Sequence, residues 1–273
     1  MISFQKIGSL FYGIGIIVYG IQQIIICDFR PQILPDFPKW AHTFIIFPIV
    51  TGIAMIIMGL VISGIIKAKE DIKKRASLYL GFYFLALIFL SHIPYLLFVY
   101  PHKLSHLGSW GDALKELAFS GGSFIIANSF SHRLFSFTKY NSFNHALEKL
   151  VPLGRIFYCT TIILFGCNHF AYDLSGMVPK WLCISVFWSY FGGTALIMAG
   201  TAILFKVWLQ PIAFLLALML FLWFIILHLP NAIADPYSGR GNAIVSAFDA
   251  LLFSGVALVL ADTKIKTNTK NEV

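Results

Sequence analysis

Six polar residues in the second half of the chain are those whose types and positions could support chemistry. Asn168 and His169 are adjacent, His228 stands two residues before a proline, and Asp249 lies inside an apolar run. Amide and imidazole groups can hydrogen-bond a lipid head group or a quinone carbonyl, and a carboxylate can balance an arginine. We therefore expect a small polar cavity formed by Asn168, His169, His228, Asp235, Arg240 and Asp249.

Simpler explanations of the same residues stay open at this point. Asn168 and His169 would also suit the wet interface at the end of a membrane helix. A carboxylate at the centre of a bilayer costs at least about 2.5–3.5 kcal/mol, so Asp249 should face a bundle interior or lie near the interface. Inside the bundle it could pair with Arg240 or Lys115.

Two histidines, His92 and His228, each stand two residues before a proline. They could ligate haem together, or each could mark a helix stop, since the residue before proline disfavours helix. The chain is also rich in aromatic residues, which could stack on a ligand or form an interfacial belt. The residues concerned are Trp40, Trp110, Trp181, Trp188 and Tyr190.

Familiar catalytic and metal signatures are absent from the sequence. It contains no P-loop, nucleophile elbow or HExxH motif, and its four cysteines show no CxxC or other metal spacing. Cys159 and Cys167 lie in an apolar run, where cysteine acts as a small hydrophobic residue. Cys27 and Cys183 lie near helix ends on the same side, where a disulfide is an open alternative. We predict no metal site.

The composition indicates a bilayer as the solvent of this chain. Hydrophobic residues make up 58% of its 273 residues and charged residues only 12%, with a mean hydropathy of +0.81. Soluble domains carry about 25% charged residues. The net charge of +8 fits loops that face anionic lipid. No run interleaves arginines with aromatic residues, so we expect no nucleic-acid partner.

Eight apolar runs have about the 20 residues needed to cross the hydrocarbon layer as a helix. The first, which ends at Cys27, is too long for a signal-peptide core and is interpreted as a span. Pro48 falls inside the second run, where we expect a kink. The predicted spans are 7–27, 42–66, 76–100, 112–131, 152–172, 183–205, 210–229 and 243–262.

Basic residues are distributed unevenly between alternate loops. Fourteen of the twenty lie in the set formed by the N-terminus, residues 67–75, residues 132–151 with Arg155, the turn at Lys206 and the tail. The positive-inside rule then predicts that both termini are cytoplasmic, in the cell (inner) membrane. The loops that contain PKW and residues 235–240 would face outward.

The sequence also contains an internal duplication. Gly8, Tyr12 and Gly20 match Gly154, Tyr158 and Gly166, and PKW, HxP and FSG each occur twice in the same order. Four spans per copy predict parallel repeats related by an axis along the membrane normal. We call residues 1–131 the first module and 152–262 the second module, with 132–151 as a cytoplasmic linker and 263–273 as a cytoplasmic tail.

These motifs resemble the DoxX family of small four-helix membrane proteins. In the second module the resemblance covers about 110 residues, and in the first it is weaker because Gln22-Gln23 replace Asn168-His169. The motifs are Gly166-x-x-His169-Phe170, Val178-Pro179-x-Trp181, Phe187-Trp188-x-Tyr190-x-Gly192, His228-x-Pro230 and Phe253-Ser254-Gly255. The resemblance implies a tandem of two DoxX-like modules.

The family resemblance implies little about chemistry. Some relatives are subunits of quinol-linked oxidase or thiosulfate:quinone reductase complexes, many have no known activity, and no catalytic residue carries over. We therefore expect an all-α integral membrane protein with eight transmembrane helices in two parallel four-helix DoxX-like repeats. We expect it to be a non-catalytic membrane component or accessory subunit. The alternative is a subunit that binds quinone, on the outward side, beside a membrane redox partner.

Overall fold

The computed structural model describes residues 3–130, 142–179 and 181–263, and every regular element in these ranges is helical. The predicted all-α class is therefore confirmed for the described residues. Six helical segments in them are long and apolar enough to cross a membrane. They are Phe4–Ile26, Ile46–Ser63, Glu70–Val99, Ser185–Leu204, Leu209–Ala234 and Ser238–Ala261.

The helices of the described ranges are numbered in chain order. Two histidines end short π-helical turns, Ile88–His92 after α4 and Phe224–His228 after α9. The helices are α1 Phe4–Ile26, α2 Lys39–Thr43, α3 Ile46–Ser63, α4 Glu70–Leu87, α5 Gly111–Ser129, α6 Ser142–Glu148, α7 Leu153–Ala171, α8 Ser185–Leu204, α9 Leu209–Trp223, α10 Leu229–Ala234 and α11 Asn242–Ala261.

The fourth and fifth predicted spans correspond to α5 and α7, which are 19 residues each and are not among the six apolar segments. The first two turns of α5 carry Asp112, Lys115 and Glu116, and polar residues lower the hydropathy of α7. At least one of these polar side chains packs inside the bundle, because Glu116 is fully buried. Six spans are therefore supported by length and composition, and eight remain a prediction.

Two local expectations change in the structure. The second predicted span is interrupted, because α2 ends at Thr43 and α3 begins at Ile46. Pro48 consequently lies in the first turn of α3, where a missing backbone N–H is tolerated, and the expected mid-helix kink is wrong. Helix α6 lies within the predicted linker, whereas residues 131–141 and the predicted tail beyond Thr263 lie outside the described residues.

Glycines allow the helices of each module to pack closely. A Cβ on Gly20 of α1 would lie 2.5 Å from the carbonyl oxygen of Gly52 in α3. A Cβ on Gly166 of α7 would lie 2.7 Å from the carbonyl oxygen of Gly193 in α8. Only glycine permits these backbones to approach so closely. The contact between α1 and α3 therefore has a counterpart between α7 and α8.

The fourth long helix of each half contacts the first long helix of the other. Helix α11 packs against α1, and α5 packs against α7. Polar contacts also occur in matching places, where a side-chain hydroxyl donates to a backbone carbonyl on a neighbouring helix. They are Tyr12 to Phe119 at 2.7 Å, Tyr158 to Phe253 at 2.8 Å, Ser120 to Gly81 at 2.8 Å and Ser254 to Ala217 at 2.8 Å.

Candidate functional site: a cavity in the second module

A cavity of about 710 Å³ opens among α7, α8, α9 and α11, with the first turns of α5 on one side. Cavities of about 300–1,000 Å³ are typical of small-molecule sites. Its wall is largely apolar and is formed in part by Ile162, Phe165, Leu196, Leu220, Trp223 and Phe253. The loop before α8 also lines it, through Val178, Pro179, Trp181 and Leu182.

Four of the six polar candidates from the sequence line this cavity, namely Asn168, His169, His228 and Asp249. They come from three helical segments: α7 carries the first two, the π-helical turn after α9 carries His228, and α11 carries Asp249. The cavity therefore brings together residues that are up to 81 positions apart, from Asn168 to Asp249.

The other two candidates, Asp235 and Arg240, are not part of the cavity lining. Asp235 accepts a hydrogen bond from the backbone N–H of Ser238 at 3.1 Å, within its own loop. Arg240 reaches away from Asp249, and its Nη2 lies 3.1 Å from Oδ2 of Asp28 in the first module. The charge balance between Arg240 and Asp249 that the sequence suggested does not form.

Asp249 is held instead by two residues of the first module. Nζ of Lys115 lies 2.9 Å from Oδ2 of Asp249, and the hydroxyl of Tyr19 donates to Oδ1 at 2.6 Å. The carboxylate is 6% exposed and the lysine side chain 21% exposed. The ion pair thus sits where both modules meet, at the side of the cavity formed by α5 and α11. The pairing with Lys115 was one of the alternatives in the sequence, but nothing there indicated Tyr19.

The side chains of Asn168, His169 and His228 differ in whether they have hydrogen-bond partners within the protein. Nδ1 of His169 lies 3.2 Å from the hydroxyl of Ser189. The side-chain carbonyl oxygen of Asn168 is buried and has no hydrogen-bond partner among the described residues. The imidazole of His228 likewise has no hydrogen-bond partner among the described residues. Groups of this kind are available to a ligand that can donate or accept hydrogen bonds.

Aromatic rings form much of the cavity wall. Trp181 and Trp188, which could have been belt residues alone, line it together with Phe165 and Trp223. The ring centroids of His169 and Trp223 are 6.2 Å apart. Trp223 was not singled out in the sequence, because a tryptophan within a run of leucines and phenylalanines has no distinguishing signal. Trp40, by contrast, is 59% exposed on the first module.

The arrangement does not support the metal and disulfide alternatives. His92 is buried in the first module, with Nε2 3.0 Å from Oε2 of Glu116, and it is not part of the lining that contains His228. The described residues contain no group of three or more His, Cys, Asp or Glu side chains that could hold a metal ion. Cys27 and Cys183 are separate, exposed thiols.

Outside the helices, the carboxylate of Asp28 contacts residues of both modules. Its Oδ1 lies 2.7 Å from Nδ1 of His42, and its Oδ2 contacts Arg240. Burial acts to raise the pKa of the Asp28 carboxyl, but hydrogen bonds from His42, the Phe29 amide and Arg240 outweigh it and lower the pKa below its ordinary value. The carboxylate is therefore the stable form at neutral pH.

Comparisons with protein-family models, curated proteins and solved structures found no match.

Proposed function

We propose that this chain is a DoxX-like component of the cell (inner) membrane whose second module binds an uncharged amphipathic ligand of the quinone class. In this proposal two parallel four-helix repeats provide eight spans, and the protein acts as a non-catalytic or accessory component. The observation that carries the proposal is the cavity lined by Asn168, His169, His228 and Asp249.

The matching contacts of the two halves support the repeat architecture. The Tyr12–Phe119 and Tyr158–Phe253 hydrogen bonds connect the first and fourth long helices of their own modules. They join residues that the duplication aligns, at shifts of 146 and 134 positions. A chance repetition of sequence would not be expected to repeat its contacts as well.

The distribution of charge supports the orientation. Fourteen of twenty basic residues lie on the side of the termini in the eight-span topology, which the positive-inside rule assigns to the cytoplasm. The cavity, which is bordered by the 178–182 loop, would then open on the outward side. A molecule dissolved in the outer leaflet could enter it without crossing the membrane.

The chemistry of the lining supports an uncharged ring rather than a phosphate head group. Among the described residues of the lining, Lys115 is the one lysine or arginine, and Asp249 already neutralises it at 2.9 Å. Asp112, also in the lining, adds further negative charge. A phosphate would face net repulsion, whereas a quinone carbonyl could accept from His228 or Lys115 while its ring packs against Trp223.

Mass spectrometry of gently purified protein, followed by titration with a short-chain quinone analogue, tests the proposal. The tryptophans of the lining should report binding through their fluorescence. Ala250→Phe, which places a ring in the cavity, should weaken binding by at least about tenfold, or 1.4 kcal/mol. Asp235→Asn, outside the cavity, is the matched control. Equal binding by both variants, or no binding by the wild type, would reject the quinone site.

A redox-linked subunit is the second candidate. It is favoured by titratable groups in the lining, such as His228 and Asp249, because a quinone takes up two protons when two electrons reduce it to the quinol. A membrane redox partner would supply the electrons. Copurification of such a subunit with the wild-type protein would favour this role, and a protein that copurifies only with lipid and quinone would favour the accessory role.

A further inference from the structure

Most residues from Phe29 to Pro35, in the segment of the first module between α1 and α2, are buried, with Pro31 exposed, although a polar, proline-containing connection would be expected at the surface. Arg30 is 2% exposed, Gln32 4% and Ile33 0%. Phe29, Ile33 and Leu34 belong to the main hydrophobic core. We call residues 28–34 the inner segment.

The inner segment is fixed at both ends. His42 binds Asp28 through Nδ1 at 2.7 Å and the carbonyl oxygen of Pro35 through Nε2 at 2.8 Å. Just beyond it, the hydroxyl of Ser91 donates to the carbonyl oxygen of Phe37. These contacts hold the segment against the end of α4 and its π-helical turn, where His92 lies beside the backbone of Gln32 and Ile33.

The inner segment also contacts the second module. Nη1 of Arg30 donates to the carbonyl oxygen of Arg240 at 2.6 Å, and Nε2 of Gln32 donates to Oδ1 of Asn242 at 3.3 Å. Together with the ion pair between Asp28 and Arg240, these bonds attach the segment to the loop that precedes α11. The position of Arg240 outside the cavity follows from these contacts.

The corresponding connection of the second module is different. Between Gly166 and Pro179 it is five residues shorter than the connection between Gly20 and Pro38. Residues 172–176, 178 and 179 are all half-buried or exposed. Leu174, Val178 and Pro179 border the cavity instead of filling it.

Five positions that the duplication aligns show the same difference within the helices. In the second module all five line the cavity: His169, Gly192, Met219, His228 and Ala250. In the first module the aligned residues are Gln23, Thr51, Tyr83, His92 and Glu116.

The first-module residues contact one another in the space that corresponds to the cavity of the second module, and some of their buried polar atoms, such as Oε1 of Gln23 and Oε1 of Glu116, have no hydrogen-bond partner among the described residues. Nε2 of Gln23 donates to the hydroxyl of Thr51 at 3.2 Å, and His92 lies 3.0 Å from Glu116. Glu116 and Thr51 are larger than the alanine and the glycine that they match. The side chains thus fill the centre of the first module, and the inner segment covers its outward end.

We propose that the inner segment closes a second, equivalent site in the first module, so that each chain binds one ligand and not two. This rests on the proposed function, because the ligand of the open site is the one proposed there. The chain itself takes the place of the ligand in the first module, and the contacts of Arg30 and Asp28 couple this closure to the loop before α11.

Closure can be measured without a ligand, by the reactivity of cysteines at two aligned positions. Leu227 lines the cavity, and Ser91, its counterpart, is 1% exposed beneath the inner segment. In a background without native cysteines, Leu227→Cys should react readily with a small water-soluble thiosulfonate. Ser91→Cys should react at least about tenfold more slowly, a factor that corresponds to 1.4 kcal/mol. Equal rates in folded protein would overturn closure.

Opening the first module is the second arm of the test. Deleting five residues from 29–35 should raise the labelling rate of Ser91→Cys and leave that of Leu227→Cys unchanged. If the deletion prevents folding, Arg30→Ala and Gln32→Ala supply milder versions of the same change. Continued protection of Ser91→Cys in a folded deletion variant would overturn the role of the inner segment.

Stoichiometry separates this inference from the proposed function. Native mass spectrometry with the quinone analogue should show one ligand per wild-type chain and none for Ala250→Phe. Two ligands per wild-type chain, of which one remains in Ala250→Phe, would overturn closure while leaving quinone binding intact. If no ligand binds and the labelling rates still differ, the proposed function fails and closure stands.

Discussion

The ion pair between Lys115 and Asp249 joins the two modules, and a double-mutant cycle can measure how strongly. Asp249 is 6% exposed, and its two oxygens are occupied by Lys115 at 2.9 Å and Tyr19 at 2.6 Å. Removing one partner of a buried ion pair costs about 3–5 kcal/mol, because the other charge stays buried. Since the Lys115 side chain is 21% exposed, we expect Asp249→Leu and Lys115→Met each to lose about 3 kcal/mol.

The double variant separates the charge pair from ordinary packing. Removing both charges together avoids an uncompensated ion, and apolar replacements of similar volume are often neutral. The hydroxyl of Tyr19 would still lose its acceptor, at a cost of about 1–3 kcal/mol. We therefore expect the double variant to lose about 1–3 kcal/mol, no more than either single variant.

The assay is reversible unfolding in mixed micelles of fixed composition, followed by tryptophan fluorescence. Asp173→Asn is the control, since this exposed carboxylate accepts a hydrogen bond from Ser175 of its own loop, and a change within about 0.5 kcal/mol is expected. A double variant that loses the sum of the two single losses would show that the charges are not coupled. Single losses below about 0.5 kcal/mol would show that the pair is not buried in the membrane.

Three further outcomes follow from the helices and loops. Gly20→Ala should lower the free energy of unfolding by about 1–3 kcal/mol in the same assay, because its Cβ would meet the facing backbone at 2.5 Å. Gly111→Ala, with open space around it, is the control. Equal losses in the two variants would contradict the close packing. Because the pKa of Asp28 is lowered on folding, its carboxylate contributes stability above the pKa of the unfolded state, and this stability is lost as the pH falls through the folded pKa. Asp28→Asn should therefore be less stable than the wild type at neutral pH and equally stable in acid. A difference in stability that does not change with pH would refute this pH dependence. Reporter fusions should place Val273 in the cytoplasm and an insertion at Ser238 outside, and the opposite result for either would reject the topology.

The positions of the helices were largely predictable because apolar runs of about 20 residues have few other stable structures. The break between Thr43 and Ile46 was not, since the surrounding residues are as apolar as those of a continuous span. The environment of three charged residues in α5, Asp112, Lys115 and Glu116, was not predictable either. Their burial depends on partners elsewhere in the chain.

The cavity residues on the second module were predictable because scarce polar residues in membrane helices tend to face the bundle interior. The partners supplied by the first module were not. Tyr19 is 230 residues from Asp249, and Arg240 turns away from the cavity because Asp28 is 212 residues distant in sequence but 3.1 Å away in space. The burial of Arg30 had no signal, because an arginine between two helices normally lies at the surface.

Photoaffinity labelling with a quinone analogue that carries an azide on its ring tests the central claim most directly. After irradiation in membranes, peptide mapping should place the label on residues of the cavity wall, such as Trp223, His228 or Phe165. Excess unmodified analogue should prevent the labelling. Label spread over lipid-facing residues such as Phe214 and Leu215, or label that unmodified analogue does not displace, would contradict a quinone site in the second module.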